Sequence, residues 1–102
     1  MARFCTVIAV LYVPTSEVKL YADLYGTLDE ALARPCLFLH HLRNIVGERL
    51  QCGPWTQLNQ QDDDGVEQLF ECYFGYGHMN EVHGMVLVTA LQDDAELELG
   101  TE

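Results

Sequence analysis

Cys36 and His40 are the two residues whose types and spacing best suit thiol chemistry, because they lie four positions apart. On a helix, residues at this spacing are neighbours. The sequence predicts that a second helical piece begins at Pro35, and a cysteine near a helix start has a lowered thiol pKa. A thiolate beside an imidazole suits a nucleophile or a redox sensor. Because no third residue that would orient His40 is evident, the pair is kept as an alternative thiol site and an enzyme is not favoured.

Two further cysteines and two histidines are ligand types that zinc accepts, namely Cys52, Cys72, His78 and His83. Their spacing contains no C-x-x-C, and its one paired element is an H-x4-H across a predicted loop. The run Asp62–Asp64 lacks the alternating ligands of a calcium loop and is interpreted as a hairpin tip. The sequence therefore predicts no metal and no cofactor.

The charge of the chain is strongly one-sided. Every lysine and arginine lies in the first half, as Arg3, Lys19, Arg34, Arg43 and Arg49. The formal net charge of −11 therefore arises entirely within residues 50–102. This distribution disfavours direct binding to nucleic acid or to an anionic membrane. It favours a protein partner with a basic surface.

The candidate partner-binding residues are the carboxylates and aromatics expected around the fourth predicted strand. Alternation predicts that Glu67, Glu71 and Tyr73 share its outward face. Tyrosine and tryptophan are favoured at protein interfaces. The full predicted set is Asp62, Asp63, Asp64, Glu67, Glu71, Tyr73, Trp55 and Tyr76. Carboxylates spaced along a sheet are able to imitate the phosphates of a nucleic acid.

Length and composition indicate one domain with a substantial core, since 49% of the 102 residues are hydrophobic. We expect the domain to span residues 1–92 and residues 93–102 to form a frayed acidic tail. The apolar runs are too short to span a bilayer. The sequence after Val13 is a poor signal-peptide cleavage site, so we expect a cytoplasmic protein with reduced cysteines.

Hydrophobic periodicity predicts five strands and one helix in the order ββαβββ. The strands are expected at residues 4–13, 18–25, 50–59, 66–76 and 85–91, the third being an edge strand interrupted by Gly53-Pro54. Thr27 and Glu30 predict the helix start, and Gly47 predicts its end. Pro35 predicts a kink or break near Arg34. The apolar stripe of the helix comprises Phe38, Leu39, Leu42, Ile45 and Val46.

We therefore predict an α+β fold, in which a single antiparallel sheet of order 2-1-5-4-3 carries one kinked helix on one face. The first and last strands are apolar on both faces. We expect Val7, Ala9, Leu11, Val86 and Val88 to lie on one side and Ile8, Val10, Leu87 and Leu91 on the other. One apolar face is left without a helix. Either self-association or a partner covers it, or the sheet curls and covers itself.

The favoured function is a non-enzymatic, acidic protein-binding module that inhibits or regulates a partner by docking on its basic, nucleic-acid-binding surface. By kind alone, the chain resembles the small inhibitors that viruses direct against restriction and CRISPR complexes. Two alternatives stay open. One is a homodimeric ligand-binding or thiol-dependent catalytic domain with a pocket near Cys36, His40 and the His78–His83 loop. The other is a structural subunit of a larger assembly.

Overall fold

The computed structural model describes residues 3–61, 66–77 and 81–91, which form six antiparallel strands and one α-helix. In chain order the elements are β1 Arg3–Tyr12, β2 Glu17–Tyr25, α1 Leu28–Val46, β3 Leu50–Cys52, β4 Thr56–Gln61, β5 Glu67–Tyr76 and β6 Val82–Leu91. A single 3₁₀ turn, Gly47–Arg49, connects α1 to β3. The predicted tip Asp62–Asp64, His78 and the tail 93–102 lie outside the described residues.

The strands form one sheet of order β2-β1-β6-β5-β3, in which β4 also pairs with β5. The α+β class, the antiparallel sheet and the single helix are confirmed. The predicted count of five strands is wrong, because the expected third strand is divided at Gly53-Pro54. Its two parts, β3 and β4, pair with successive stretches of β5. Proline has no backbone N–H to give to a ladder, which explains the interruption.

Helix α1 begins and ends as the sequence predicts but runs unbroken through Pro35. The Thr27 hydroxyl accepts a hydrogen bond from the Glu30 backbone N–H at 3.2 Å, and Gly47 ends the helix with a positive φ of 65°. The expected restart at Pro35 is wrong. Proline leaves the carbonyl four residues earlier without its helical donor. That carbonyl, of Ala31, accepts a hydrogen bond at 2.7 Å from the buried Thr6 hydroxyl of β1.

The core lies between α1 and the middle of the sheet. Its buried residues are Ile8, Leu50, Cys72, Phe74 and Val86, and the helix adds Phe38, Leu39, Leu42 and Val46. Ile45, expected on the same stripe, is 68% exposed. It lies at the margin of the apolar stripe and is not among the residues that pack against the core.

Gly84 of β6 makes room for the central aromatic contact of this core. A Cβ at Gly84 would overlap the ring of Phe74, which therefore packs directly on the glycine backbone. The Phe74 ring also meets Phe38 of the helix edge-on, with centroids 6.0 Å apart. The absence of a side chain at Gly84 thus positions the aromatic residue that joins helix and sheet.

Candidate protein-interaction face

The side of the sheet opposite α1 has no layer packed on it within the described residues. Directly paired residues lie on the same side of a sheet, so the register identifies its members. We call the following apolar set the open face: Cys5, Val7, Ala9 and Leu11 of β1, Val18, Leu20, Ala22 and Leu24 of β2, and Met85 and Leu87 of β6. Between Cys5 and Leu11 these three strands place no lysine, arginine or carboxylate on this side.

The apolar side chains of β2 are the most exposed part of the open face. Leu20 is 69% exposed, Val18 59% and Leu24 52%. The sequence predicted a half-buried β2, and this is wrong because the helix-facing residues of β2 are also largely exposed. The alternative of a sheet that curls over itself fails for the described chain, since such a sheet would bury Leu20.

The register corrects the predicted assignment of faces between β1 and β6. Val7 pairs with Leu87, and Ile8 pairs with Val86. Val86 and Val88 therefore lie under the helix with Ile8 and are fully buried, whereas the sequence prediction places them on the side of Val7. Alternation gives the two faces of each strand, but it does not state which face of one strand matches which face of the next.

Tyr73 and Glu71 of β5 lie beside the open face and form a hydrogen-bonded pair. Their partners across the sheet, Met85 and Leu87, belong to the open face. The Tyr73 hydroxyl donates to Glu71 Oε2 at 3.3 Å, and Tyr73 is 56% exposed. The carboxylate charge of Glu71 raises the pKa of Tyr73, so the phenol stays protonated at neutral pH and is able to donate. We call these two residues the Glu71–Tyr73 pair.

Glu67 does not join this pair, contrary to the sequence prediction. The register between β5 and β6 shifts by one residue between Gln68 and Phe70. Glu67 pairs with Ala90, whose side chain is buried on the helix side, so Glu67 lies on that side too. A β-bulge inserts one extra residue and reverses the alternation beyond it.

The two remaining aromatics of the predicted set also lie on the helix side. Trp55 meets Phe70 edge-on, with ring centroids 6.5 Å apart. Tyr76 lies under the guanidinium of Arg49, and the Arg49 Cζ atom is 5.9 Å from the centroid of the Tyr76 ring. Both aromatics pack against the core. Of the eight predicted partner-binding residues, the structure thus brings Glu71 and Tyr73 together and places Glu67, Trp55 and Tyr76 elsewhere. Asp62, Asp63 and Asp64 are outside the described chain.

Tyr73 separates two depressions on this side of the sheet. One, of about 210 Å³, is bordered by Ala9, Leu11, Val18 and Met85 and is almost wholly apolar. The other, of about 470 Å³, lies over the pairing of β3 with β5 and is bordered by Arg49 and Gln51. Tyrosine is one of the residue types that most often act as anchors at protein interfaces.

The structure does not support the expected environment of the alternative thiol site. Because α1 begins at Leu28, Cys36 is in the middle of the helix and not at its positive end. Cys36 and His40 are both exposed. The physical reason for expecting an activated thiolate at Cys36 is therefore removed.

No cluster of three or more metal-binding side chains occurs in residues 3–61, 66–77 and 81–91. Cys72 is buried on the helix side, Cys52 is exposed, and His83 lies on the opposite side of the sheet from Cys72. His78 is outside the described residues. Burial raises the pKa of the Cys72 thiol to about 11, which is typical of a structural cysteine.

No helix within the described parts of the chain combines the length and apolarity required to cross a membrane. The comparisons with known proteins do not identify a family, since no family model, curated protein or solved structure matches this chain.

The sequence predicted that one apolar face of the sheet would lack a helix, but it did not predict which residues of β2, β1 and β6 form that face. The available signal was the excess of apolar strand faces over the single helix able to cover them. Which apolar residues remained outside depended on the register between β1 and β6, and alternation alone does not supply that register.

Proposed function

We propose that this chain is a non-enzymatic protein-binding module that docks its acidic side on a basic surface of a partner protein, such as a nucleic-acid-binding groove. The Glu71–Tyr73 pair carries the proposal. It presents a carboxylate and a largely exposed aromatic beside an uncovered sheet face. Tyrosine supplies contact area at a small entropic cost, and the carboxylate supplies attraction to a basic partner.

The charge distribution supports a basic partner. No lysine or arginine follows Arg49, and Arg49 itself lies 3.6 Å from Glu81. The second half of the chain therefore generates a negative field with little internal compensation, which speeds encounter with a positive surface. An acidic ligand on a nucleic-acid-binding groove would exclude nucleic acid from that groove, which makes inhibition the expected outcome.

The experiment compares the wild-type chain with Glu71→Lys and with the matched control Glu48→Lys. Glu48 is an exposed carboxylate in the 3₁₀ turn, so the control makes the same charge change away from the pair. Each protein is immobilised and exposed to native extract, and proteins eluted by salt are identified. We expect basic nucleic-acid-binding proteins that are retained by wild type and Glu48→Lys and lost from Glu71→Lys.

A partner found in this way is then purified and titrated with the wild-type chain, with and without its nucleic acid. We expect competition between the chain and the nucleic acid. Retention that is equal for the two variants, or binding unaffected by the nucleic acid, would contradict the proposal.

A further inference from the structure

The open face is an uncovered apolar surface of the described chain, and its chemistry restricts the kind of cover that fits it. Its β2 leucines and Val18 are more than half exposed, and between Cys5 and Leu11 the face continues across β1 and β6 without a lysine, arginine or carboxylate. Arg3 lies on this side at the end of β1. An apolar surface of this kind is costly to leave in water. A cover must therefore be apolar, and it must not add negative charge that repels the acidic half of the chain.

We infer that a second copy of this chain covers the open face, forming a two-fold symmetric sandwich of two sheets. The face itself meets both requirements, because it is apolar and belongs mainly to the first half of the sequence, whose formal charge is zero. Two copies therefore join without bringing their acidic halves into contact. The terminal residues 92–102 fit less well, since Asp and Glu make up nearly half of that segment.

The size of the face is sufficient for a weak dimer. Strands of nine to ten residues rise about 3.3 Å per residue, and three strands spaced about 4.8 Å apart give roughly 470 Å² in projection. Side chains that stand above the sheet raise the accessible area further. Two copies thus cover roughly 940 Å² in projection and approach the lower end of specific interfaces, about 1,200 Å² in total, so we expect dissociation at micromolar concentrations.

The strand order favours one orientation of the two-fold axis. With the axis parallel to β1, each β2 lies over β6 of the second copy, and the hollow bordered by Ala9 and Met85 receives Leu20 of that copy. The Glu71–Tyr73 pair of each copy then lies beyond the partner's β2 and stays accessible. An axis across the strands would instead place β5 over β5 of the second copy and take the Glu71 carboxylate out of water, which is costly.

Sedimentation equilibrium of Leu20→Glu and Ile45→Glu tests this inference. The two residues are 69% and 68% exposed, so each variant adds a carboxylate at an equally exposed apolar position, but only Leu20 is on the open face. We expect wild type and Ile45→Glu to dimerise between about 1 and 300 μM. Leu20→Glu should weaken dimerisation by roughly 30-fold or more, because two carboxylates enter each interface.

Far-UV circular dichroism and urea unfolding establish that Leu20→Glu is folded. If that variant is unfolded, Leu24→Lys replaces it, since Leu24 is also exposed on the open face. Wild type that remains monomeric throughout the range would overturn the inference and leave the face to the terminal residues of its own chain or to another protein. Equal effects of Leu20→Glu and Ile45→Glu would also overturn it.

A crosslinking experiment tests the orientation. An axis along β1 brings Cys5 of the two copies opposite each other. In a chain with Cys36→Ser and Cys52→Ser, a short bismaleimide should yield a covalent dimer that disappears when Cys5→Ser is added. A dimer that forms no such product would exclude this axis.

The dimer is independent of the proposed docking on a basic partner. If Leu20→Glu abolishes dimerisation and the monomer still binds a basic protein through Glu71, both conclusions stand. If dimerisation is normal and Glu71→Lys has no effect on partner capture, only the proposed function fails.

Discussion

At the scale of single residues, Gly84 provides the clearest case of a position where nothing larger fits. A Cβ there would overlap the Phe74 ring, whereas a Cβ at Gly26 would have no neighbour within 4 Å. We expect Gly84→Ala to lower the free energy of unfolding by about 1–3 kcal/mol through overpacking. Gly26→Ala should leave it nearly unchanged.

Urea unfolding followed by circular dichroism measures both changes. In a Phe74→Leu background the clash is smaller, so Gly84→Ala should cost less there than in wild type. An equal cost in both backgrounds would show that Phe74 is not the residue displaced.

The buried thiol of Cys72 should make the stability of the fold decrease at alkaline pH. Its pKa is raised by burial from an ordinary value near 9 to about 11, so the folded chain holds this proton more tightly than the unfolded chain. Between about pH 9 and 11 the unfolded thiol ionises first, and the thiol's contribution to stability, on the order of 1–2 kcal/mol, is lost. Below pH 9 that contribution is fully present.

The measurement is the difference in unfolding free energy between wild type and Cys72→Ala across this range. The variant should be less stable at neutral pH because it lacks the buried sulfur, and the difference should shrink as the pH rises from 9 to 11. Cys36→Ala, at an exposed position, is the matched control and should run parallel to wild type.

At the scale of elements, the hydrogen bond from the Thr6 hydroxyl to the Ala31 carbonyl links β1 to α1. It lies where Pro35 removes one backbone hydrogen bond of the helix. Thr6→Val leaves the Ala31 carbonyl buried without a donor, and we expect a loss of about 1–3 kcal/mol in unfolding free energy. Thr6→Ser keeps the hydroxyl and should cost clearly less. Chemical unfolding of the purified variants measures both.

A double-mutant cycle isolates the coupling. Pro35→Ala restores the backbone N–H that bonds the Ala31 carbonyl, so Thr6→Val should cost less in that background than in wild type. Additive effects of the two substitutions would contradict the link between them.

The sheet and the helix differ in how far the sequence alone predicts them. The arrangement of the four long strands, β2-β1-β6-β5, was predictable, because the two most apolar strands had to be central and short connections pair neighbouring strands. The continuity of the helix was not, because it depends on a hydroxyl 25 residues away in β1. Local rules predict a break at Pro35, and they do not include the tertiary hydrogen bond to the Ala31 carbonyl.

Local rules failed for the site in a similar way. The bulge between Gln68 and Phe70 moved Glu67 away from Glu71, although uninterrupted alternation places both on one side. The division of the third predicted strand followed from Gly53-Pro54, a signal that the sequence did contain. The residue types of Glu71 and Tyr73 were enough to select them as candidates. Their neighbours across the sheet, Leu87 and Met85, are known only from the register.

At the scale of the whole molecule, the two proposed interactions should respond to salt in opposite ways. Docking on a basic partner depends on opposite charges, and we expect it to weaken about tenfold or more between about 50 and 300 mM NaCl. Self-association through the open face is apolar, and screening reduces repulsion between two chains of net charge −11. It should therefore stay constant or strengthen.

Both are measurable on one sample series, by sedimentation for the dimer and by a binding titration for the partner. Weakening of the dimer in parallel with partner binding would show that charge pairs, and not the open face, hold the two copies together.

The contact between Thr6 and Ala31 should constrain how positions 6 and 35 evolve. If Pro35 is replaced by an ordinary helix former, a backbone N–H satisfies the Ala31 carbonyl and the hydroxyl at position 6 is no longer needed. If the hydroxyl is lost while Pro35 remains, the carbonyl has no donor and the helix is destabilised. Among related sequences the two positions should therefore covary, with threonine or serine at position 6 where position 35 is proline, and aliphatic residues at position 6 where it is not.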